Sequence, residues 1–274
     1  MQKEYLLSAI RAAVLAGAEI MTVYDDPDAD FQIEKKADNS PVTIADKKAN
    51  ALISGLLAKE TPYPLLTEES VHAPYEVRRN WESLWVVDPL DGTKEFIKRN
   101  GEFTVNIAYV ENGAPEAGVI YIPVRKELYF SDRESGAFRM RHVLSVDDVE
   151  GGFDDLTNRS EKLPVAADLE HQGYIVVASR SFLNDDTRRF IAGIEKTHRD
   201  VTTLSRGSSL KICAVAEGSA DIYPRFAPTM EWDTAAGHAI VRGAGGDVYH
   251  IDGITPLTYN KPDLHNPYFI VRRS

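Results

Sequence analysis

Cysteine is almost missing: Cys213 stands alone among 274 residues, so no intrachain disulfide can form. That scarcity fits a reducing compartment and sets the expectation of a cytoplasmic protein. Cys213 lies on an apolar helical run, which points to the core rather than to a nucleophile. Positive charge is also short. Lys and Arg number 31 against 42 Asp and Glu, for a formal net charge of −11. This argues against a nucleic-acid backbone or an anionic membrane surface as partner. A small anionic substrate stays compatible, because bound cations reverse the sign locally. No apolar run reaches the roughly 18 residues that a bilayer span needs, so no integral membrane segment is expected, and peripheral association is left open. The N-terminal stretch reads as an amphipathic helix rather than a signal peptide, with Leu6, Ile10, Ala13, Val14, Gly17 and Met21 at helical spacing and Arg11 and Glu19 on other faces. Internal repeats and low-complexity tracts are absent. The 7 histidines are scattered, and no His or Cys pair has metal-ligand spacing. His238, inside an Ala-rich helix, reads as packing.

What is present is the composition of a globular protein, 43% hydrophobic and 27% charged, with enough length for one large domain or two ordinary ones. After the first helix, Phe31–Glu34 reads as a short strand. Ser40-Pro41-Val42-Thr43 leads into a helix to about Ala58, burying Ala45, Ala49, Leu52, Ile53 and Leu56. Strands are expected at Tyr63–Leu66, Trp85–Val87, Thr104–Val110, Ala117–Tyr121 and Glu127–Phe130. The first half therefore reads as two helices on a largely antiparallel sheet. Residues 141–170 are polar and irregular, and place a boundary between a metal-binding half, 1–145, and a second half, 146–274. Beyond it, strands at Tyr174–Ala178, Ala220–Tyr223, Gly246–Ile251 and Tyr268–Val271 alternate with helices near Asp185–Glu195, Ser208–Ala216 and Asp233–Arg242. That alternation argues for an α/β second half after an α+β first half.

Three acidic clusters share one design, in which a strand or loop ends, a carboxylate follows and a turn or helix begins. They are Glu68-Glu69, Asp88-Pro89-Leu90-Asp91 and Glu231-Trp232-Asp233, with Asp46 a candidate fourth. The run Leu84-Trp85-Val86-Val87 delivers the two aspartates of the middle cluster into a turn set by Pro89 and Gly92, with the Leu90 carbonyl and Thr93 hydroxyl close by. Each has an ordinary structural reading as well. Asp233 can cap the helix that follows it, Asp46 can close a capping box with Thr43, and the glutamates can be a solvated strand end. If Glu68, Asp88, Asp91 and Asp233 converge, the arithmetic changes. One like-charged pair about 4 Å apart costs roughly 4 kcal/mol at an effective dielectric near 20. Such a group persists only with cations bound or protons taken up. Two divalent ions balance four carboxylates, and an all-oxygen donor set selects Mg²⁺ or Mn²⁺ over Zn²⁺.

Asp88-Pro89-Leu90-Asp91-Gly92-Thr93, with Thr67-Glu68-Glu69-Ser70 upstream and Trp232-Asp233-Thr234-Ala235-Ala236 downstream, resembles the inositol monophosphatase superfamily over nearly the whole chain. Asp91–Ile97, Gly207-Ser208-Ser209-Leu210-Lys211 and Tyr223-Pro224-Arg225-Phe226 are most similar to its CysQ-type 3′(2′),5′-bisphosphate nucleotidases. The resemblance implies a layered αβαβα sandwich of the inositol monophosphatase and fructose-1,6-bisphosphatase type. It also implies a phosphomonoesterase using two or three Mg²⁺ ions. One ion is then held by Glu68, Asp88 and the Leu90 carbonyl, a second by Asp88, Asp91 and Asp233, and a weaker third by Asp46 and Glu68; Glu69 is not implied as a ligand. In that mechanism Thr93 and Asp46 are expected to orient and deprotonate the attacking water, with Glu68 the third expected catalytic residue. The resemblance further implies that Gly92, Thr93, Lys94, Gly207, Lys211 and Asp233 contact the substrate, and that this is adenosine 3′,5′-bisphosphate and by extension its sulfated analogue. Arg180 and Arg225 are further candidates, and Phe182 departs from a histidine found in many of these nucleotidases. An inositol or sugar monophosphate phosphatase is the alternative within the class, and a non-catalytic nucleotide sensor the alternative outside it. Nothing in the sequence sets an oligomeric state.

Overall fold

The computed structural model describes residues 1–36, 40–165, 169, 173–179 and 184–273. The outermost layer consists of α1 (Lys3–Tyr24) and α2 (Ile44–Glu60), which pack on each other. By length and composition α1 could cross a membrane. It does not have its apolar side free to do so, because Leu6, Ala9, Ile10, Ala13 and Ile20 are enclosed in the core. On α2 the inward positions are Ala45, Ala49, Ile53 and Leu57, one per turn; Leu52 and Leu56 pack at the margin instead of forming the buried line. Between the helices runs a ribbon of β1 (Glu34–Lys35) and β2 (Pro41–Val42). The expected strand at Phe31–Glu34 is displaced because Gln32 adopts a left-handed backbone (φ 47°), which an extended run cannot contain.

The next layer is a seven-stranded sheet in simple order: β3 (Leu65–Thr67), β4 (Ser83–Asp91), β5 (Thr104–Glu111), β6 (Ala114–Ile122), β7 (Glu127–Asp132), β8 (Gly136–Arg141) and β9 (Glu161–Lys162). β3 and β4 are parallel and the other neighbours antiparallel. Short helices α3 (Tyr75–Arg78), α4 (Thr93–Ile97) and α5 (Phe153–Asn158) connect or flank them. β4 is nearly continuous in apolar residues because both of its faces are covered. Trp85 and Val87 meet α1 and α2, while Leu84 and Val86 belong to the opposite core. The strand also continues through Asp88-Pro89-Leu90-Asp91 rather than turning there. Its register against β5 slips between Asp88 and Asp91, and Pro89 sits in that irregularity, where a missing N–H is tolerated.

Beyond this sheet lie β10 (Tyr174–Ser179), α6 (Asp185–Ile194), β11 (Val201–Arg206), α7 (Leu210–Glu217), β12 (Ile222–Arg225), α8 (Glu231–Gly243), β13 (Gly246–His250) and β14 (Phe269–Arg273). Their strands form a second sheet of order β11-β10-β12-β14-β13. One core joins the first sheet, α7, α8 and the second sheet; on the far side Val176, Ile222 and Ile270 pack on Phe190, Ile191 and Ile194 of α6. The layers are thus αβαβα. α8 approaches β6 so closely that a β-carbon at Gly118 would stand 2.3 Å from the Ala236 carbonyl oxygen. Cys213 is buried in the central layer.

Candidate metal centre

Glu68 leaves the end of β3 beside β4, where its backbone N–H bonds to the Val87 carbonyl. Asp88 continues β4 and is 1% exposed, with Oδ1 accepting from the Leu90 amide at 3.0 Å. Asp233 is the third residue of α8, and its Oδ2 accepts from the Met230 amide at 2.9 Å, as a capping carboxylate does. Three elements from both sheets' sides thereby bring oxygens of Glu68, Asp88 and Asp233 within 4.8 Å of one another. Burial raises the pKa of all three, and repulsion adds to it at two of them: Asp88 feels Glu68, Asp91 and Asp233, and Asp233 feels Asp91 and Glu68, while at Glu68 the pull of Lys36 opposes burial and the push of Glu69. Asp91 stands just outside this trio. Its Oδ2 accepts from Ser208 Oγ at 2.6 Å and from Ser209 Oγ at 2.8 Å.

Asp46 lies within the first turn of α2, 1% exposed. Its Oδ2 accepts from the Thr43 amide at 2.8 Å and hydroxyl at 2.5 Å, closing the capping box, while Oδ1 accepts from Thr93 Oγ1 at 3.0 Å. The ordinary and the chemical reading of Asp46 therefore use different oxygens of the same group. Burial raises its pKa, against the bonds from Thr43. Thr93 Oγ1 is also 3.4 Å from the Leu90 carbonyl, which ties the end of β4 to α2. The turn begins at Gly92, whose backbone is left-handed (φ 94°); a side chain there would be strained and would press on Ser208 and the Glu102 carbonyl.

These groups open on a cavity of about 360 Å³. Glu68, Asp91, Thr93 and Asp233 line one part of it, with Gly92 and Lys94 at the same margin; Asp46, Asp88 and the Leu90 side chain stay behind the wall. Gly207, Lys211 and Arg225 line another part. Lys211 is 6% exposed, donates to the Ser208 carbonyl and lies 5.5 Å from the Tyr223 ring centre. Burial lowers its pKa to about 8, against the pull of Asp91 and with help from Arg225. The Gly207 amide is held by Glu102 Oε2 at 2.8 Å. Apolar surface comes from Ile212, Tyr223, Trp232 and Phe269. Arg180 and Phe182 fall outside the described residues. His238 is buried, bonded to the Tyr259 hydroxyl and the Asp247 carboxylate, and takes no part in the cavity.

Two kinds of residue near the site escaped sequence reasoning. Lys36 reaches from the β1–β2 ribbon to Glu68 at 2.6 Å and Glu69 at 2.5 Å. Burial alone would lower its pKa, yet the two glutamates outweigh burial and hold it raised. Thr104 and Asn106 are small polar residues with no spacing that marks them, and Ser208 and Ser209 stand in the Gly207–Lys211 motif without a role of their own.

The inositol monophosphatase family profile matches residues 1–269. The 3′(2′),5′-bisphosphate nucleotidase CysQ of Escherichia coli (strain K12) is 43% identical over 262 residues, covering 93% of this chain and 94% of that protein. The counterpart of Haemophilus influenzae is 32% identical over 272 residues, covering 98% and 93%. Among solved structures, CysQ from Bacteroides thetaiotaomicron, described as a bacterial member of the inositol monophosphatase family, superposes with a TM-score of 0.91. It is 53% identical, covering 99% of this chain and 97% of its own. A Thermotoga maritima IMPase gives a TM-score of 0.70 at 26% identity, covering 96% and 89%. That family is metal-dependent, in keeping with the acidic trio. By profile, sequence and fold alike, the chain belongs to the inositol monophosphatase family.

Proposed function

We propose that this protein is a Mg²⁺-dependent phosphomonoesterase that removes the 3′-phosphate of adenosine 3′,5′-bisphosphate, yielding AMP and phosphate. The sulfated analogue of that nucleotide is a second substrate in this reading, and the lone, buried Cys213 accords with work in the cytosol. The observation that carries it is the pairing, in one cavity, of a carboxylate cluster with a buried lysine. A monophosphate needs only the first of these. A nucleotide with a second phosphate uses both.

The donor set fits a hard divalent cation: all ligand atoms are oxygens, and the three carboxylates repel one another unless positive charge is shared among them. Glu68, Asp88 and the Leu90 carbonyl would hold one ion, and Asp88, Asp91 and Asp233 a second. Asp46 and Glu68 would hold a weaker third. Bound there, Mg²⁺ supplies Lewis acidity: it neutralises phosphate charge, acidifies water and stabilises the leaving alkoxide. The chain's own contribution starts at Thr93, which gives its hydroxyl proton to Asp46 and so turns its oxygen toward accepting one from water. As Thr93 takes a proton from that water its own passes to Asp46, whose raised proton affinity makes it the net acceptor of one proton. Glu68, which lines the same cavity, would help to position that water. Gly92 and Thr93 present backbone amides, and Lys94 a cation, to the departing phosphate. Lys211, beside Gly207 and Arg225, neutralises the 5′-phosphate that does not react.

The deciding experiment is phosphate release in Mg²⁺ from adenosine 3′,5′-bisphosphate, inositol 1-phosphate and fructose 1,6-bisphosphate at matched concentrations. Preference for the nucleotide, abolished by chelation, supports the reading. Preference for inositol 1-phosphate or for fructose 1,6-bisphosphate overturns the assignment of a nucleotide 5′-phosphate to Lys211, and release unaffected by chelation overturns the metal assignment.

A further inference from the structure

The chemistry above makes no use of a buried polar group set between β5 and the start of α7. Thr104 is 0% exposed, Asn106 1% and Ser209 2%. Across the β4–β5 pair, Thr104 stands opposite Asp91 and Asn106 opposite Asp88. Both lie on the face of β5 that turns toward α7, alternating with Val105 and Ile107 of the other core. Thr104 Oγ1 is 2.8 Å from Asn106 Oδ1 and 2.9 Å from Ser208 Oγ. Asn106 Nδ2 is 2.9 Å from Ser209 Oγ and 3.5 Å from Asp91 Oδ2.

Counting protons gives this network a direction. Ser208 and Ser209 each have one hydroxyl proton, and an ionised carboxylate can only accept, so both protons go to Asp91 Oδ2. Ser209 must then accept from Asn106, which requires the amide nitrogen to face it. That leaves the single hydroxyl proton of Thr104 to be shared between the Asn106 oxygen and Ser208 Oγ, both of which accept from it. Every donor is thus turned, directly or through a neighbour, onto one oxygen of Asp91. Ser208 reaches it from a left-handed backbone (φ 47°), a conformation that a residue with a β-carbon keeps only where its surroundings impose it.

We infer that Thr104, Asn106, Ser208 and Ser209 are positioning residues that hold Asp91 by Oδ2 and so set its other oxygen, Oδ1, as a single, fixed ligand atom for a divalent cation. This rests on the reading of Asp91 as a metal ligand. Such outer partners orient a carboxylate that would otherwise rotate, and losing one typically weakens metal binding by about 10–100-fold.

The test is Mn²⁺ binding to the full chain without substrate, followed by the electron spin resonance of free Mn²⁺ and by calorimetry. Thr104→Val keeps shape and removes the hydroxyl, and Ser209→Ala removes one direct donor; each should weaken binding about tenfold or more. Thr104→Ser, which restores the hydroxyl, should recover most of the loss, a rescue that simple packing at this position would not give. Circular dichroism in EDTA establishes that each variant is folded, and if Thr104→Val is not, Ser209→Ala decides the question alone. Weak binding by Asp91→Asn together with unchanged binding by Thr104→Val and Ser209→Ala overturns this inference and leaves the metal reading standing. Unchanged binding by Asp91→Asn overturns both.

Discussion

Asp88 carries more of the electrostatic burden than any neighbour, since it is buried and faces Glu68, Asp91 and Asp233 at once. Its pKa is raised in the folded chain, as are those of Glu68 and Asp233. Groups raised in this way bind protons in the native state before the unfolded chain does, so metal-free stability increases as pH falls through their folded values and decreases as pH rises past them. In EDTA the thermal midpoint should therefore drop between mildly acidic and mildly alkaline pH, and Mg²⁺ should flatten that slope. Asp88→Asn should raise the midpoint in EDTA near neutral pH while lowering phosphate release in Mg²⁺ by ~100-fold or more. A lower midpoint in EDTA would show that the repulsion is relieved by something other than protons or cations. Lys211 works in the opposite sense. With a pKa lowered to about 8 it is a cation below that pH and loses its charge above it. KM for adenosine 3′,5′-bisphosphate should rise as pH passes 8, and the rise should be missing in Lys211→Met, whose KM is high throughout. At this scale the sequence was informative where residues fall in a motif with distinctive chemistry, as at Asp88-Pro89-Leu90-Asp91. It set Ser208 and Ser209 within a motif without giving them a role, and was silent on Thr104 and Asn106, because hydroxyls and amides are common everywhere and only contact across more than 100 positions gives them a role.

Among the elements, α8 links Asp233 to the core of both sheets. It lies on β6 at Gly118, and no side chain fits between them. Gly118→Val should cost about 1–3 kcal/mol or more through overpacking, read as a fall in the urea midpoint. Because α8 must shift to admit the new atoms, Mn²⁺ binding should weaken in the same variant. Loss of stability with full metal affinity would mean that β6 yields instead of α8. Helix α1 and strands β4 to β7 were legible because their periodicity is strong and their burial nearly complete. β11 was not anticipated: Val201–Arg206 is an edge strand in which exposed and half-buried positions mix, so neither an alternating nor a continuous apolar pattern marks it. β8 was missed for a different reason, since Gly136-Ala137 and two arginines dilute a strand that is nonetheless buried at four positions. The expected turn at Asp88–Asp91 also shows how a proline can sit inside a strand when the register slips around it.

For the whole molecule, the question is whether the halves behave as one. The first sheet extends past residue 145, since β9 at Glu161–Lys162 pairs with β8. Its inner face, including Val86, Ala108, Val110 and Ile120, shares a core with α7, α8 and the second sheet. Splitting the chain near 145 would expose that face and separate Asp233 from Glu68 and Asp88. No cut in the sequence alone revealed this, because the layer that joins the halves is drawn from the second one only. Two consequences follow from the shared layer and can be read in one experiment. Heating should give a single transition by calorimetry, with van't Hoff and calorimetric enthalpies in agreement. Because cation sites assembled from both halves exist only in the folded chain, Mg²⁺ at a hundredfold excess over its dissociation constant should stabilise the whole by about 2.7 kcal/mol per site, moving that single transition upward by roughly 5 °C for each site filled. If two transitions appear and Mg²⁺ moves only one, the ligands belong to a half that folds by itself, and Asp233 is not among them.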